Sequence, residues 1–578
     1  MDITPFLELK PAPRAIFDAL PERKSRPRFM LPTPDGDWRV VTWAAYAKGI
    51  RNAALFLSSV GLQSGDRAAI FAPNSVEWIS AAMAIQAVGG VMVPVYPANT
   101  TPQAAYVIEH SDTKVLFVDT PALLQRVFEG WSAYANVTRI VTLCTTPIDP
   151  GPIIEQMRSK GLSVPPIAEI ERKLVSWNRV QAVGAARDQE APGEFERALA
   201  AVSIEQTAQM LYTSGTSGNP KGVPLTHKNV GVNGADWLKN NAPLLEKNDV
   251  DVLWLPMSHI FGFGEACLGN TLGWVTYMSE PTKVLNHLQE CRPNIFMSVP
   301  AVWEKLAMAA MSETDPVKRR AALHKVTGGD LRFCLSGGAG LKREVKELFH
   351  ACGLLIIEGY GLTETSPTLT LNRPDAFRFD SVGKVMPSVQ LKLAEDGEIL
   401  ARGPTVFGGY HKDPAATAEA FTEDGWLKTG DVGRFTDDGF LQIIDRKKDI
   451  LVTAGGKNVP PANIELRFRD DPFIHTVVVY GDAKKYLVAA VWLHEQAVDA
   501  HLEKSGVAAG ARDEARRALV QTRIDTVNSQ LASFESIKKF QIIDAPITVE
   551  SGLLTSTLKV RRKEVYKQFG SRLEALYE

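Results

Sequence analysis

Cysteine is scarce in this chain: five residues (Cys144, Cys267, Cys291, Cys334, Cys352) lie scattered through 578, odd in number and without CxxC spacing. That pattern excludes a disulfide framework and argues against a zinc site, and it suits a reducing compartment, so a cytoplasmic location is expected. Excess charge of either sign is also missing. Sixty-four basic against sixty-six acidic residues leave a net charge of -2, which provides no global field for nucleic acid or anionic lipid, and no nucleic-acid partner is expected. Long hydrophobic runs are absent too. The most apolar window, residues 80–98, contains Gln86, Gly89, Gly90 and Pro94 and reads as helix, turn and buried strand rather than an integral membrane segment. The N-terminal MDITPFLELKPAPRAIFDAL interrupts its apolar residues with prolines and charges, so no export signal is expected. No internal repeat or low-complexity tract occurs.

What is present is an ordinary globular composition, 45% hydrophobic and 22% charged, in a chain too long for one hydrophobic core, so at least two folding units are expected. From about Arg67, short β-rich runs alternate with helical patterns: AAIFAP, VEWISAAMAIQAV, VMVPVY, YVIEHS and KVLFVD. Such alternation implies βαβ units and a mostly parallel, buried sheet. A second series begins near Leu253 with VLWLPMS and continues through PNIFMSVP and LRFCLSGG, then, after the helix-like KREVKELFHAC, to LLIIEGYG. Between them, residues 147–203 are rich in proline and charge, which predicts loops and surface helices. Five consecutive charged residues, 445–449, close the β-rich FLQII and mark a boundary. The expected fold class is therefore α/β: a large N-terminal domain, residues 1–445, with layers of mostly parallel sheet, and a small α+β C-terminal domain, residues 446–578.

The stretch LYTSGTSGNPKGVPLTH, residues 211–227, concentrates hydroxyls, glycines and a lysine between apolar flanks. Those are the parts of a phosphate-binding loop. Glycines let backbone N–H groups approach closely, hydroxyls donate to phosphoryl oxygens, and a cation offsets charge. Pro220 and Lys221 stand where a Walker A loop requires Gly-Lys-[Ser/Thr], so a P-loop kinase is excluded.

This stretch resembles the YTSGTTG-x-PKG signature of the adenylate-forming superfamily, which unites acyl-CoA synthetases, firefly luciferases and peptide-synthetase adenylation domains; Ser217 replaces the commoner Thr. Further matches follow in order: PMSHIFG (256–262), SGGAGL (336–341), EGYGLTETSP (358–367), WLKTGDVG (426–433), IDRKKDILVTAGGKNVPPANIE (444–465) and TSTLKVRR (555–562). SVPAVWEKL and the TSTLK ending look most like bubblegum-type and other long-chain acyl-CoA synthetases. The resemblance implies ATP-dependent activation of a carboxylic acid, expected to be a medium- to long-chain fatty acid, to acyl-AMP with release of pyrophosphate. Transfer to coenzyme A follows, with Mg²⁺ as cofactor. An aryl-acid CoA ligase, or a fatty acyl-AMP ligase loading a carrier protein, remains an alternative, although residues 367–426 contain no obvious insertion of the kind those ligases carry.

The same resemblance carries roles onto residues. Thr213, Ser214, Gly215, Thr216, Ser217, Gly218 and Lys221 would hold phosphate. Gly338 and Ala339 would border adenine and the acyl pocket, and Glu358, Gly359 and Tyr360 would form the adenine wall, with Tyr360 stacked on the base. Thr363 would touch the α-phosphate and Glu364 would ligate Mg²⁺, a hard cation suited to a carboxylate and phosphate oxygens. Asp431 would accept both ribose hydroxyls, assisted by Arg446. His259 would stand beside the substrate carboxylate. Lys559 would bridge carboxylate and α-phosphate, relieving the like-charge repulsion that opposes their reaction. Lys448 would be the hinge about which the C-terminal domain turns, bringing Gly455, Gly456 and Lys457 to line the thiol tunnel.

Overall fold

The computed structural model describes residues 1–144, 146–213, 219–469, 471–555 and 559–578. Seven strands form the first sheet, in spatial order Leu174–Ser176, Arg139–Thr142, Thr113–Val118, Arg67–Phe71, Val91–Val95, Thr207–Thr213 and Lys221–Thr226. All its pairings are parallel except the last, in which Thr213 lies opposite Lys221. Val91–Val95 is buried at every position, as a parallel strand covered on both faces must be. The preceding helix, Val76–Ala87, is capped by the Ser75 side chain on the Trp78 N–H and is buried along nearly all its length. It has no solvent face because layers cover it on all sides.

A second sheet of nine strands holds the later series, with Val250–Leu253, Ile295–Ser298, Phe333–Ser336 and Ile356–Gly361 parallel at its centre. Its far edge is an N-terminal hairpin, Pro27–Pro32 and Trp38–Thr42, whose first strand pairs in parallel with Val275–Met278. Residues 147–203, expected to hold loops and surface helices, form four helices joined by loops and add the edge strand Leu174–Ser176. In this region Trp177–Glu190 packs closely on Trp43–Ser59, and a Cβ at Gly184 would lie 1.9 Å from the Asn52 carbonyl oxygen, so only glycine permits the approach.

An antiparallel sheet of four strands follows, Gln390–Leu393, Glu398–Arg402, Leu427–Phe435 and Leu441–Arg446. Beyond it stand the hairpin Leu451–Val452 and Asn458–Val459, then a three-stranded sheet, Ile474–Tyr480, Leu487–Leu493 and Ile537–Ile542. The long charged helix expected from about Arg512 spans Arg512–Asn528. With Arg562–Glu574 it covers the small sheet, giving this part cores of its own around Val479, Ala489, Val491 and Ile524 and around Val488, Trp492 and Phe569.

Candidate active site

Strand Ile356–Gly361 ends at the large sheet's carboxyl edge and delivers Tyr360, followed by the short helical turn Thr363–Thr365. α/β sheets present ligands at such edges. The turn is held from both sides. Leu362 N–H donates to the Pro367 carbonyl at 3.0 Å, and Phe407 N–H donates to the Glu364 carbonyl at 2.9 Å. A Cβ at Gly361 would stand 1.8 Å from the Pro367 oxygen, so glycine is required there.

Asp431 lies in strand Leu427–Phe435, directly opposite Arg446 of the next strand. It is only 5% exposed, yet both carboxylate oxygens are engaged. The Tyr360 hydroxyl donates to Oδ2 at 2.7 Å, and Arg446 Nε stands 2.9 Å from Oδ1. Burial pushes the Asp431 carboxyl up, while Arg446, the Tyr360 hydroxyl and Lys559 oppose that shift. Burial and the adjacent carboxylate hold the Tyr360 phenol well above its ordinary value, so it remains a donor. Tyr360, Asp431 and Arg446, far apart in sequence, thus form one preorganised polar edge.

The phosphate-loop residues Ser214, Gly215, Thr216, Ser217 and Gly218 lie outside the described residues. Their flanks, Thr213 and Lys221, face each other at the mouth of a hairpin. Lys221 Nζ sits 4.8 Å from the centre of the Tyr410 ring, and the Tyr410 hydroxyl donates to Glu364 Oε1 at 2.9 Å. Lys221 and Glu364 are therefore linked through Tyr410, which the sequence reading did not single out. One hydroxyl contact leaves carboxylate lone pairs for a cation. Among the described residues no cluster of three or more His, Cys, Asp or Glu side chains could hold a metal. A single carboxylate completed by phosphate oxygens and water is the usual Mg²⁺ arrangement, so Glu364 fits that ion.

Lys559 reaches the same cleft from the C-terminal domain. Its backbone N–H donates to Thr555 Oγ1 at 3.0 Å. Desolvation in the cleft and then the Arg446 guanidinium lower its ammonium pKa, with Asp431 acting in the opposite sense. His259 caps helix Ile260–Leu272, its Nδ1 accepting the Phe261 N–H at 3.1 Å. Burial first and Lys559 second push the imidazole down to about 4, so it is neutral at pH 7 and carries its proton on Nε2.

Glu358 faces another duty. Its carboxylate takes Lys346 Nζ at 2.5 Å and the Leu341 N–H at 2.9 Å, both inside the protein. That clamp fixes the 336–341 turn, where Gly338 has φ +85° and Gly338 and Ala339 are exposed. Gly359, one residue on, pairs with Leu371 on the neighbouring strand. Lys448 is exposed in the turn that follows strand Leu441–Arg446, whereas its neighbour Lys447 pairs with Asp396 at 2.6 Å and Glu398 at 2.7 Å. Gly455, Gly456 and Lys457 are exposed at the tip of the Leu451–Val459 hairpin, and none of them makes a described contact with Asp431, Glu364 or Lys559.

A cavity of about 750 Å³ reaches Phe261 and Pro367, which lie two residues after His259 and three after Glu364 in the chain. Helices His227–Asn241 and Ile260–Leu272 form its walls, Met297 and Leu335 of the large sheet line it, and the N-terminal helix Ala12–Arg23 covers it.

The AMP-binding enzyme family matches residues 19–411, and the AMP-binding enzyme C-terminal domain matches residues 448–578. The long-chain-fatty-acid–CoA ligase FadD15 of Mycobacterium bovis is 34% identical over 590 residues, covering 94% of this chain and 93% of that protein. The long-chain-fatty-acid–CoA ligase ACSBG2 of Xenopus laevis is 27% identical, covering 95% of this chain and 81% of its own length. In fold, the chain resembles the A domain of the carboxylic acid reductase from Segniliparus rugosus in complex with AMP and a co-purified carboxylic acid. The TM-score is 0.78 at 22% identity, covering 98% of this chain and 94% of that one. The anthranilate CoA ligase AuaEII in complex with anthranoyl-AMP gives a TM-score of 0.74 at 20% identity, covering 98% of this chain and 99% of that one. The ordered motifs, the two-domain fold and these matches together make the chain a member of the AMP-binding enzyme family, in its acyl-CoA synthetase branch.

Proposed function

We propose that this enzyme activates a medium- to long-chain fatty acid with ATP and Mg²⁺, then passes the acyl group to coenzyme A in the cytoplasm. The observation carrying the chain-length assignment is the cavity of about 750 Å³ that lies between two helices and is lined at one place by Ser366 and Pro367, just after the Thr363–Thr365 turn. It falls within the size range of small-molecule pockets, and much of its wall is aliphatic and aromatic. Among the described residues no helix is long and apolar enough to cross a membrane. Five unpaired cysteines are in keeping with a reducing compartment.

In the first step a carboxylate oxygen attacks the α-phosphorus in line; the bond to pyrophosphate breaks and an acyl-phosphate anhydride forms. Lys559 offsets the charge that accumulates between the two anions, acting from a fixed position at no reorganisation cost. Asp431 receives the ribose hydroxyls, Arg446 and Tyr360 hold that carboxylate in place, and the Tyr360 ring offers a face to adenine. Thr213 and Lys221 flank the polyphosphate, and Glu364 holds Mg²⁺, which supplies charge neutralisation to the phosphates. Neutral His259 borders the path between acid and thiol. The C-terminal domain then turns at Lys448, withdrawing Lys559 and bringing up Gly455, Gly456 and Lys457. Thiolate sulfur attacks the acyl carbon and AMP departs.

The test is AMP and thioester formation across saturated acids of graded length and cinnamate-type acids, with and without coenzyme A. Turnover should peak at medium to long chains and produce acyl-CoA only when the thiol is supplied. Preference for aryl acids, or release of acyl-AMP with no acyl-CoA, would refute the assignment.

A further inference from the structure

The cavity is not uniformly apolar. Gln86, Gln209, His227 and Glu265 all line it, and they are 1%, 1%, 4% and 1% exposed. Each has a polar atom with no hydrogen-bond partner among the described residues: Gln86 Oε1, both amide atoms of Gln209, His227 Nε2 and both carboxylate oxygens of Glu265. Buried polar groups are normally paired, and one without a partner is costly. Three of the four converge through the backbone. Gln86 Nε2 donates to the Ala208 carbonyl at 3.2 Å, Gln209 is the next residue, and His227 N–H donates to the Gln206 carbonyl at 3.1 Å. Glu265 belongs to helix Ile260–Leu272, which also lines the cavity.

We propose that this polar inner wall recognises a second oxygen function on the acyl chain, a hydroxyl or ketone, so that the preferred substrate is an oxygenated fatty acid. The inference rests on the cavity being the acyl site. Gln209 lies four residues down its strand from Thr213, about 13 Å at 3.3 Å per residue. The recognised group is therefore in the chain interior, well away from the reacting carboxylate. Its class follows from the donors and acceptors available. Gln209 offers an N–H₂ and a carbonyl, and Gln86 offers a carbonyl. The two glutamines carry no charge, burial first and Asp251 second push the Glu265 carboxyl well up, and burial pushes the His227 imidazole down to about 4, so the wall disfavours charge. A set of neutral donors and acceptors suits a neutral oxygen. Of the cations lining the cavity, Lys10 pairs with Asp18 at 2.9 Å, Arg23 donates to the Asn270 and Thr271 carbonyls and Arg26 donates to Asn248 Oδ1, while Lys247 is exposed.

The experiment compares kcat/KM for hexadecanoic acid with that for monohydroxylated hexadecanoic acids bearing the hydroxyl at successive carbons, in the parent enzyme and in Gln209→Leu. An advantage of about tenfold is expected at one or two interior positions, and Gln209→Leu should return the ratio towards one. Leucine removes an unpaired amide at similar volume, so folding is not threatened, and thermal melting checks this. If the plain acid is favoured at every position, or Gln209→Leu changes melting without changing the ratio, the wall holds water or serves packing only and the inference falls. If neither series yields AMP, the fatty-acid reading falls and takes this one with it.

Discussion

Lys559→Ala should separate the two half-reactions. The residue is exposed at the cleft's edge, where desolvation and then Arg446 lower its ammonium pKa and Asp431 acts in the opposite sense. Removing it relieves that repulsion, so stability should hold. A unit charge about 4 Å from another is worth about 4 kcal/mol at an effective dielectric of 20. Loss of one preorganised electrostatic stabiliser costs about a hundredfold to a thousandfold in rate. Adenylation, followed by pyrophosphate release from acid and ATP, should therefore fall by at least about a hundredfold. Thioester formation, followed from purified acyl-AMP and coenzyme A, should remain within a few-fold of the parent, because the surface bearing Gly455, Gly456 and Lys457 is untouched. Equal loss of both rates in a variant that melts normally would refute the role given to Lys559, and so would near-normal rates in both.

Glu364→Gln keeps the side-chain volume but removes an anionic ligand, so the Mg²⁺ concentration for half-maximal turnover should rise several-fold; an unchanged Mg²⁺ titration would contradict the assignment. Asp431→Ala should chiefly raise the KM for ATP and leave Tyr360 and Arg446 without their shared acceptor, whereas an unaltered ATP dependence would mean that the carboxylate only braces the strand. His227 is pushed from 6.5 to about 4 by burial, so the unfolded chain binds the extra proton between those values and stability is lost as pH falls through that window. Chemical denaturation should show a loss of about 2 kcal/mol from this group between pH 7 and pH 5, and His227→Gln should lack that component.

Much of this was legible because it is local. Residues 67–118 alternate strand and helix periods, and the run from Ser75 to Val95 contains its own capping serine and its own glycine turn, so helix and strand fall where the pattern puts them. The 445–449 charge run likewise falls where strand Leu441–Arg446 ends. Pairings between distant segments were not legible. Nothing in PRFMLP indicates that it joins Val275–Met278, since a strand's partner is chosen by the tertiary packing of both faces. Residues 147–203 read as weakly periodic because Trp177–Glu190 buries only Trp177, Val180 and Gly184, a stripe too narrow to register as a helical pattern. The site divides in the same way. Glu364, Asp431 and Lys559 stand in recognisable motifs, whereas Tyr410, which links Lys221 to Glu364, lies in GGYHKD, where no chemistry is apparent until the chain is folded. Glu358 also looked like part of the nucleotide wall, yet its carboxylate is spent on Lys346 and the Leu341 amide.

The electrostatics of the cleft bear on how chemistry and the proposed domain rotation are coupled. Beyond the hinge residues Arg446 and Lys447, described contacts between the C-terminal and large domains include Arg469, which donates to the Gly340 carbonyl at 3.1 Å and stands 3.5 Å from Glu304, and the Ala462 N–H, which donates to Asp445 Oδ2 at 3.1 Å. Such polar contacts are individually weak and exchange readily with water, unlike a large apolar interface. Lys559, itself exposed, meanwhile faces a region that already contains Arg446, which together with desolvation lowers its ammonium pKa while Asp431 acts in the opposite sense. ATP and a carboxylate bring several negative charges and so favour the docked arrangement. Adenylation removes most of them, since the carboxylate becomes an anhydride and pyrophosphate departs. The repulsion between Lys559 and Arg446 is then restored, with Asp431 the principal remaining counter-charge from the protein. On this account the driving force for withdrawing the C-terminal domain is produced by the reaction itself, at the moment when the thiol needs access to the acyl carbon.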